Sequence, residues 1–169
     1  MERVLIIGNA GAGKTTFSLQ LAEKLQLPLV HLDQLFWCGN WQQRSREEFD
    51  ALLQKELEKP QWIIDGNFSR TLPHRLRYCD TVVFFDLPTA VCLWGITKRL
   101  FTYWGKTRPD MGGNCPEFLD KQKWSLYKGV LTYNKRNRET YRPLLSESSH
   151  VQVIVIKSRR QAAAYLNSL

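Results

Sequence analysis

Residues 8–16 read GNAGAGKTT, and this stretch decides how the chain around it must fold. An apolar run, VLII at 4–7, comes directly before it, and a segment with apolar residues at helical spacing follows. A strand, a glycine-rich turn and a helix in this order are typical of a loop that holds phosphate groups. The stretch also fits the pattern G-x-x-x-x-G-K-[ST] at its fixed positions, which are Gly8, Gly13, Lys14 and Thr15.

The residue types in this loop suit a nucleotide with a bound cation. Glycines let backbone N–H groups turn inward around phosphate oxygens, and the following helix directs its positive end at the same anion. Lys14 can reach the β- and γ-phosphates, and the Thr15 hydroxyl can bind Mg²⁺. The alternative is a turn without a ligand, which the flanking strand and helix disfavour. We predict ATP and Mg²⁺ as cofactors, with nucleotide contacts from Gly8, Gly11, Ala12, Gly13, Lys14, Thr15 and Thr16.

Length and charge limit the class of protein. The chain has 169 residues, which fits a single domain over 1–169, and its net charge of +8 favours an anionic partner such as a polyphosphate or a nucleic acid. No apolar run reaches the roughly 18–20 residues of a membrane helix, and MERVLIIG lacks the form of a signal peptide. We therefore expect no membrane partner and a cytoplasmic location. No two of the four cysteines have CxxC spacing, which argues against a zinc or redox pair.

Short apolar runs alternate with longer segments of helical spacing along the rest of the chain. Most of these runs are continuous and rich in β-branched or aromatic residues, as in strands buried on both faces of a parallel sheet. This alternation predicts an α/β sandwich with a five-stranded parallel sheet. The predicted strands are 4–7, 28–33, 62–66, 81–87 and 151–156, and the predicted helices are 14–25, 46–58, 89–104, 117–142 and 159–168.

Aspartates at the ends of predicted strands are candidates for the site, because ligands bind beyond the carboxyl ends of parallel strands. Asp33 can orient an acceptor hydroxyl or take its proton, although a helix cap is an alternative role for it. Asp65 is followed by Gly66 and Asn67, which permit close approach of a ligand. We predict Asp65 as the Mg²⁺ carboxylate and regard Asp86 as a rival match. His31 and His74 are given no catalytic role.

Basic residues concentrate in the second half of the chain. The stretch 97–117 places Arg99 and Arg108 around a centre rich in Gly, Pro and Asn, which we interpret as a short lid at about 103–116. Arginines on a lid neutralise the charge of a transferring phosphoryl group and exclude water. Arg138 lies further along, on a basic helix face. We predict catalytic roles for Lys14, Asp33, Arg99, Arg108 and Arg138.

Two other interpretations of this basic region stay open. One is a solvated helix face, which a run of charges usually is. The other is a nucleic-acid patch, because aromatic residues interleave with the charges and can stack on bases. No recognised nucleic-acid motif accompanies them. DNA is therefore a minor candidate partner, beside a nucleoside triphosphate and a small acceptor.

The motifs GNAGAGKTT, HLDQLFW…NW, DGNF…TLPHR, VVFFDLP, TKR…G…RPD and KSRR, in this order, resemble the bacterial topology modulation (FlaR-type) proteins. Those are small P-loop proteins of the adenylate kinase-like group, and the resemblance covers nearly the whole chain. It implies a P-loop NTPase three-layer sandwich and a nucleotide-dependent phosphotransferase, with a proposed effect on DNA topology. It also implies that Arg99 lies against the adenine and phosphates, and that the adenine packs on the loop 157–160, which contains Arg159. It further implies flap arginines at Arg108 and at one or two of Arg136, Arg138 and Arg142.

The acceptor side departs from the adenylate kinase pattern. The stretch HLDQLFWCGNWQQRSREEF, 31–49, carries Asp33, as hexose- or shikimate-type small kinases do, together with Trp37 and Trp41. We predict an acceptor-side helical insert at about 34–60. The function predicted is an ATP-dependent phosphotransferase acting on a small acceptor, a nucleotide or nucleoside-like molecule. The alternative is a nucleotide-binding regulator that affects DNA topology without kinase activity.

Overall fold

The computed structural model describes the backbone of residues 1–169 and every side chain except that of Arg138. One sheet holds all the strands, in the order β2-β3-β1-β4-β5, and every pairing is parallel. The strands are β1 Arg3–Gly8, β2 Leu29–His31, β3 Trp62–Asp65, β4 Thr81–Phe85 and β5 Gln152–Ile156. The helices are α1 Lys14–Leu25, α2 Leu32–Phe36, α3 Arg46–Leu57, α4 Leu72–Leu76, α5 Thr89–Thr102, α6 Lys121–Glu147 and α7 Arg159–Asn167, with a 3₁₀ turn at Ser69–Thr71. The predicted α/β fold with a five-stranded parallel sheet is confirmed.

The central strand β1 separates two cores, because successive side chains of a strand point to opposite faces. Leu5 and Ile7 join the core that α3, α4 and the second half of α6 cover. Val4 and Ile6 join the core that α1, α5 and α7 cover. All these side chains are fully buried, which explains why the run at 4–7 is apolar without alternation. The result is three layers, helices–sheet–helices. None of the helices described here is long and apolar enough to span a bilayer.

The second predicted strand, 28–33, extends beyond the observed strand β2, which is Leu29–His31. β2 stops at His31, and α2 begins at once because Leu32, Leu35 and Phe36 have helical spacing and pack on the first core. Asp33 therefore lies in the first turn of α2 and not at a strand end. A carboxylate in a first helical turn is favoured by the partial positive charge there.

Helix α6 is shifted relative to the predicted 117–142. Its N-cap is Asp120, whose side chain accepts a hydrogen bond from the Lys123 backbone N–H at 2.8 Å. The helix then continues through Pro143. As a consequence, α5 and α6 are joined by a long irregular segment, residues 103–120, called connection 103–120 below. The predicted lid at 103–116 falls within it.

Candidate functional site

The phosphate loop between β1 and α1 surrounds an open space at the start of α1. Gly13 has φ 99°, in the left-handed region, and a Cβ placed there would meet nothing within 4 Å. No side chain of the described residues caps the first turn of α1, so its N–H groups are available to an anion. The opposite wall of the loop is tight, because a Cβ on Gly11 would lie 2.2 Å from the Cys92 carbonyl oxygen of α5. Ala12 is fully buried in this wall, and Thr16 is exposed.

Lys14 and Thr15 face the same space from the first turn of α1. The Lys14 ammonium donates to the Asn9 carbonyl at 3.1 Å, so it lies folded back along the loop. Burial lowers the pKa of Lys14, against the raising effect of Asp65 and Asp33. The Thr15 hydroxyl lies 3.2 Å from a carboxylate oxygen of Asp65.

Asp65 ends β3 beside the loop, next to Thr15, and is 6% exposed. Its Oδ2 lies 3.3 Å from His31 Nδ1, and its Oδ1 is buried without a hydrogen-bond partner among the described residues. A carboxylate oxygen without a partner and a hydroxyl are hard oxygen donors, which Mg²⁺ prefers. The rival, Asp86, accepts a hydrogen bond from Arg142 at 2.9 Å instead.

A metal ion would need further ligands at this point. Among the side chains that the structure describes, no set of three His, Cys, Asp or Glu is placed to bind a metal by itself. Thr15 and Asp65 therefore fit a Mg²⁺ ion that completes its coordination partly with phosphate oxygens and water, as is usual for this ion.

Asp33 lies across a cavity of about 1360 Å³ that opens above the loop and is also lined by Arg99, Arg108 and Arg159. Its Oδ2 is 3.9 Å from Arg108 Nη2. Loss of hydration among the surrounding protein atoms raises the pKa of the Asp33 carboxyl. The negative charges of Asp110 and Asp65 raise this pKa further, and the positive charge of Arg108 lowers it. The side chain nevertheless keeps 41% of its surface exposed toward the cavity. It can therefore meet a ligand.

Arg99 and Arg108 are held by a carboxylate that the sequence interpretation missed. Glu117 is fully buried, and its Oε1 lies 2.9 Å from Arg108 Nε and 4.0 Å from Arg99 Nε. Its other oxygen accepts a hydrogen bond from the Lys123 ammonium. Burial alone would raise the pKa of Glu117, but the Lys123 hydrogen bond and the cationic charges around it lower that pKa below its ordinary value.

Asp110 is a second missed carboxylate. It is 7% exposed, and its Oδ2 lies 3.2 Å from the Thr15 hydroxyl and 2.7 Å from Arg108 Nη1. Both Asp110 and Glu117 come from connection 103–120, whose lack of periodicity gave no signal for where its side chains point.

The remaining predicted cations lie in different places. Arg159 Nη2 donates to the Gly11 carbonyl at 3.3 Å, beside the phosphate loop. Arg136 donates to the Gly129 carbonyl at 3.2 Å, and Arg142 pairs with Asp86, so both have partners away from the loop. The prediction for Arg138 falls on a side chain outside those described.

Connection 103–120 rests on α2 and on the loop 37–44, which joins α2 to α3. Gln34 Nε2 donates to the Pro109 carbonyl and Trp41 Nε1 to the Pro116 carbonyl, both at 2.9 Å. The Asn40 backbone N–H donates to the Asn114 carbonyl at 2.6 Å. Trp37 and Trp41 stand edge to face with ring centroids 5.3 Å apart, and both line the cavity. The two segments thus meet over the same cavity.

The loop after Asp65 is fixed by a buried arginine that was not predicted. Arg75 of α4 is fully buried and donates to the carbonyls of Gly66 at 3.0 Å and Phe68 at 3.1 Å, and also to that of Asn67. Burial lowers the pKa of Arg75 to about 10. The Asn67 side chain in turn accepts from the Gly8 N–H at 2.9 Å. This chain of contacts joins Asp65 to the phosphate loop.

Comparisons with known proteins give a structural likeness only. Neither a scan against models of protein families nor a search of curated proteins found a match for this chain. Among solved structures, shikimate kinase from Acinetobacter baumannii in complex with shikimate matches with a TM-score of 0.62 at 17% identity, over 99% of this chain and 90% of that one. Shikimate kinase from Bacteroides thetaiotaomicron matches with a TM-score of 0.57 at 16% identity, over 99% and 95%. Shikimate kinase from Aquifex aeolicus matches with a TM-score of 0.51 at 18% identity, over 98% and 92%. The chain shares the fold of these proteins.

Proposed function

We propose that the chain is a small-molecule kinase of the P-loop type, which transfers the γ-phosphoryl group of ATP to a hydroxyl of a small acceptor in the presence of Mg²⁺. One observation carries the proposal. The open phosphate loop with Lys14 and Thr15, the partnerless oxygen of Asp65, and the Asp33–Arg108 pair all face one cavity. Binding sites for a triphosphate, a cation and an acceptor hydroxyl therefore meet. The shared fold with the shikimate kinases is consistent with this chemistry.

Each of these side chains has a role that its surroundings support. Lys14 leaves the Asn9 carbonyl to bind the β- and γ-phosphates. Thr15 and Asp65 hold Mg²⁺, which when bound neutralises charge on the phosphate oxygens. Asp33 orients the acceptor hydroxyl and accepts its proton, a task for which a raised pKa is suited.

Arg99 and Arg108 supply positive charge next to the transferring group, because Glu117 keeps both guanidinium groups in the cavity wall. Arg159 lies beside Gly11, where an adenine can pack against the start of α7. A catalytic contribution of Arg138 stays a prediction. Consumption of ATP agrees with the cytoplasmic location that the sequence predicts.

We further propose a nucleotide or nucleoside-like acceptor. Trp37 lines the cavity near Asp33, and its half-buried ring offers a flat apolar surface to a planar group. Trp41 is less available, since its indole N–H is bound to Pro116 and Lys123 lies 5.4 Å from its ring.

The experiment that tests the function is a screen of acceptors with ATP and Mg²⁺, monitored by ADP release. The acceptor classes to be tested are nucleoside monophosphates, nucleosides, shikimate and simple sugars. ADP release that requires one class supports the kinase and names its acceptor. Slow ADP release that no acceptor accelerates overturns the kinase proposal in favour of a nucleotide-dependent regulator.

The matched variant in this screen is Lys14→Ala. Lys14 makes a hydrogen bond to its own loop, so its loss leaves the core intact, while a charge beside the transferring phosphate is removed. We expect acceptor-dependent turnover to fall by at least about 10²–10³-fold, the size seen for a lost transition-state donor. Circular dichroism should show an unchanged fold. Turnover equal to that of the wild type would contradict the mechanism.

The order of the sequence motifs supports the proposal that the chain is related to the FlaR-type proteins. An interaction with DNA is the property that bears on this relationship. Arg99 and Arg108 line the cavity, so these two residues of the basic stretch do not form an outward stripe for DNA. We expect no steep salt-dependent binding to duplex DNA. Such binding, unaffected by ATP, would favour the regulator.

A further inference from the structure

Two carboxylates from distant parts of the chain converge on one hydroxyl. Asp65, at the end of β3, and Asp110, in connection 103–120, each place their Oδ2 at 3.2 Å from Thr15 Oγ1. Both side chains are at least nine-tenths buried. The Oδ1 of Asp65 is also buried and has no hydrogen-bond partner among the described residues. The proposed function puts Mg²⁺ at Thr15 and Asp65. If that holds, this arrangement also indicates where a further protein ligand of the ion comes from.

The hydroxyl cannot satisfy both carboxylates. A threonine has one O–H proton, so it donates to one carboxylate and presents only a lone pair to the other. A buried anionic oxygen against a lone pair is unfavourable unless a positive charge lies between them. Arg108 supplies part of that charge, since its Nη1 is 2.7 Å from Asp110, and the His31 imidazole lies beside Asp65 with its Nδ1 at 3.3 Å.

The spacing suits an octahedral cation. Mg²⁺ binds oxygens at 2.0–2.1 Å, so neighbouring ligands of one ion are about 3 Å apart. Thr15 Oγ1 lies 3.2 Å from each carboxylate, close to that edge length. We propose that Asp110 is a third protein oxygen of the Mg²⁺ site, carried to it by connection 103–120, so that the bound cation stabilises this connection in its position over the cavity.

The same contact links the cation to Arg108. Arg108 now divides its guanidinium among Asp110 at 2.7 Å, Glu117 at 2.9 Å and Asp33 at 3.9 Å. A cation that neutralises Asp110 removes the strongest competitor for Nη1. Arg108 can then turn toward Asp33 and the transferring phosphate while Glu117 still holds its Nε. Asp110 is thus a metal ligand in the closed state and restrains Arg108 before the metal binds.

The experiment measures the metal directly and uses no acceptor. Mn²⁺ replaces Mg²⁺, a non-hydrolysable ATP analogue replaces ATP, and free Mn²⁺ is followed by electron paramagnetic resonance on the full chain. We expect Asp110→Asn to weaken Mn²⁺ binding by at least about 10-fold, the size that even partners of metal ligands contribute. Asp110→Glu should restore part of this loss, because it keeps the carboxylate.

Asp120→Asn is the matched control, since it removes the same charge ten residues away and Asn serves equally as the N-cap of α6. Hydrogen exchange provides the second measurement. Addition of metal should slow exchange of the amides at 107–117 in the wild type and in Asp120→Asn, but not in Asp110→Asn. Slower exchange on addition of metal requires the cation to hold connection 103–120 in place. If Asp110 served only as a structural partner of Arg108, metal would not change the exchange.

Wild-type Mn²⁺ affinity in Asp110→Asn, or a loss no larger than in Asp120→Asn, would overturn the role of Asp110 and leave the proposed kinase intact. Strong Asp110-dependent metal binding without phosphoryl transfer to any acceptor would sink the kinase and leave the metal site. A wild-type chain that binds no Mn²⁺ with the nucleotide analogue would overturn both.

Discussion

At the scale of the residue, Asp33 sets the expected response to pH. Its pKa is raised by burial and by its acidic neighbours, and a base must be ionised to accept a proton. Activity should therefore decline, as the pH falls, at a pH above the ordinary aspartate value of about 3.9. The measurement is kcat against pH under saturating ATP and acceptor.

Asp33→Asn should lower kcat by about 10²–10⁴-fold and abolish this acid limb, because the amide does not titrate. Asp50→Asn is the control, since Asp50 forms an exposed pair with Arg70 at 2.6 Å on α3. Its profile should match the wild type. An acid limb that survives in Asp33→Asn would assign the titration to another group.

Glu117 is a second residue with a measurable effect, in this case on the free energy of unfolding. Glu117→Gln leaves Arg108 and Lys123 buried without their carboxylate, and such a loss costs about 3–5 kcal/mol. Urea unfolding should show it. Glu56→Gln, which breaks the exposed pair with Lys59, should change the free energy of unfolding by about 1 kcal/mol or less.

The pH dependence of this contribution has a definite sign. The pKa of Glu117 is lowered in the folded state, so its stabilisation is fully present above the ordinary glutamate value of about 4.3. It is lost as the pH falls through the folded-state pKa. The difference in unfolding free energy between the wild type and Glu117→Gln should shrink in that acidic window. A difference that grows there would contradict the assignment.

Part of the cavity lining could be predicted from sequence, and part of it could not. Lys14 and Thr15 follow from the loop pattern, and Asp65 follows from its position between an apolar strand and a glycine. Asp110 and Glu117 lie in a segment without periodicity, where only the folded chain determines which side chains turn inward. Asp110 is paired with Arg108 of the same segment, and Glu117 with Arg108 and with Lys123 of α6, and no local pattern of sequence specifies these pairs.

At the scale of the element, connection 103–120 and the loop 37–44 close over the cavity as a pair. Gly112 lies where they touch, and a Cβ on it would be 2.1 Å from the Trp37 carbonyl oxygen and 2.6 Å from that of Gln34. Both obstacles are backbone atoms, so a small shift of a side chain cannot relieve them.

Gly112→Ala should therefore prevent the two segments from seating on each other. We expect kcat for phosphoryl transfer to fall about 10-fold or more, because orientation at the site is sensitive to displacements of about 1 Å. The share of ATP hydrolysed by water should rise, since the cavity is no longer closed.

Gly129→Ala on α6 is the control, because the nearest atom to its Cβ is the end of a flexible arginine at 3.9 Å. It should retain both activities, with helix propensity slightly improved. Wild-type transfer and hydrolysis in Gly112→Ala would show that this contact is not needed for closure.

The elements themselves were predictable to different degrees. Helix α3 begins as its sequence indicates, with Ser45 and Glu48 forming a capping box. Helix α2 was missed because five residues give too short a pattern to separate from the end of a strand. The start of α6 was misplaced because Asp120, its true cap, follows a non-helical stretch with residues that tolerate a helix.

At the scale of the whole molecule, binding of the nucleotide should stabilise the fold. A ligand that binds only the folded state at 100 times its Kd adds about 2.7 kcal/mol. For a chain of this size, each kcal/mol raises Tm by about 2–4 °C. A thermal scan with ATP and Mg²⁺ should show this rise, and Lys14→Ala under the same conditions should show a smaller one. An equal rise in Tm in the two proteins would show that Lys14 does not contribute to nucleotide binding.

The architecture could be predicted, and so could two of the arginines that line the cavity, whereas the carboxylates that pair with them could not. Continuous apolar runs predict strands covered on both faces, and alternation with helices predicts a parallel sheet. The distribution of cations does not follow in the same way. Arg99 and Arg108 turn into the cavity because Glu117 is there, while Arg142 finds Asp86 outside it.

The buried guanidinium of Arg75 has a consequence for the entropy of binding. Its donors fix three successive carbonyls after Asp65, and they hold Phe68 at φ 32°, a conformation that a bulky residue rarely adopts. The cost of ordering this loop is met during folding, by contacts that need no ligand. On this side, a nucleotide with its cation would therefore meet a loop that is already ordered. A loss of conformational freedom on binding would fall mainly on the opposite side, at connection 103–120.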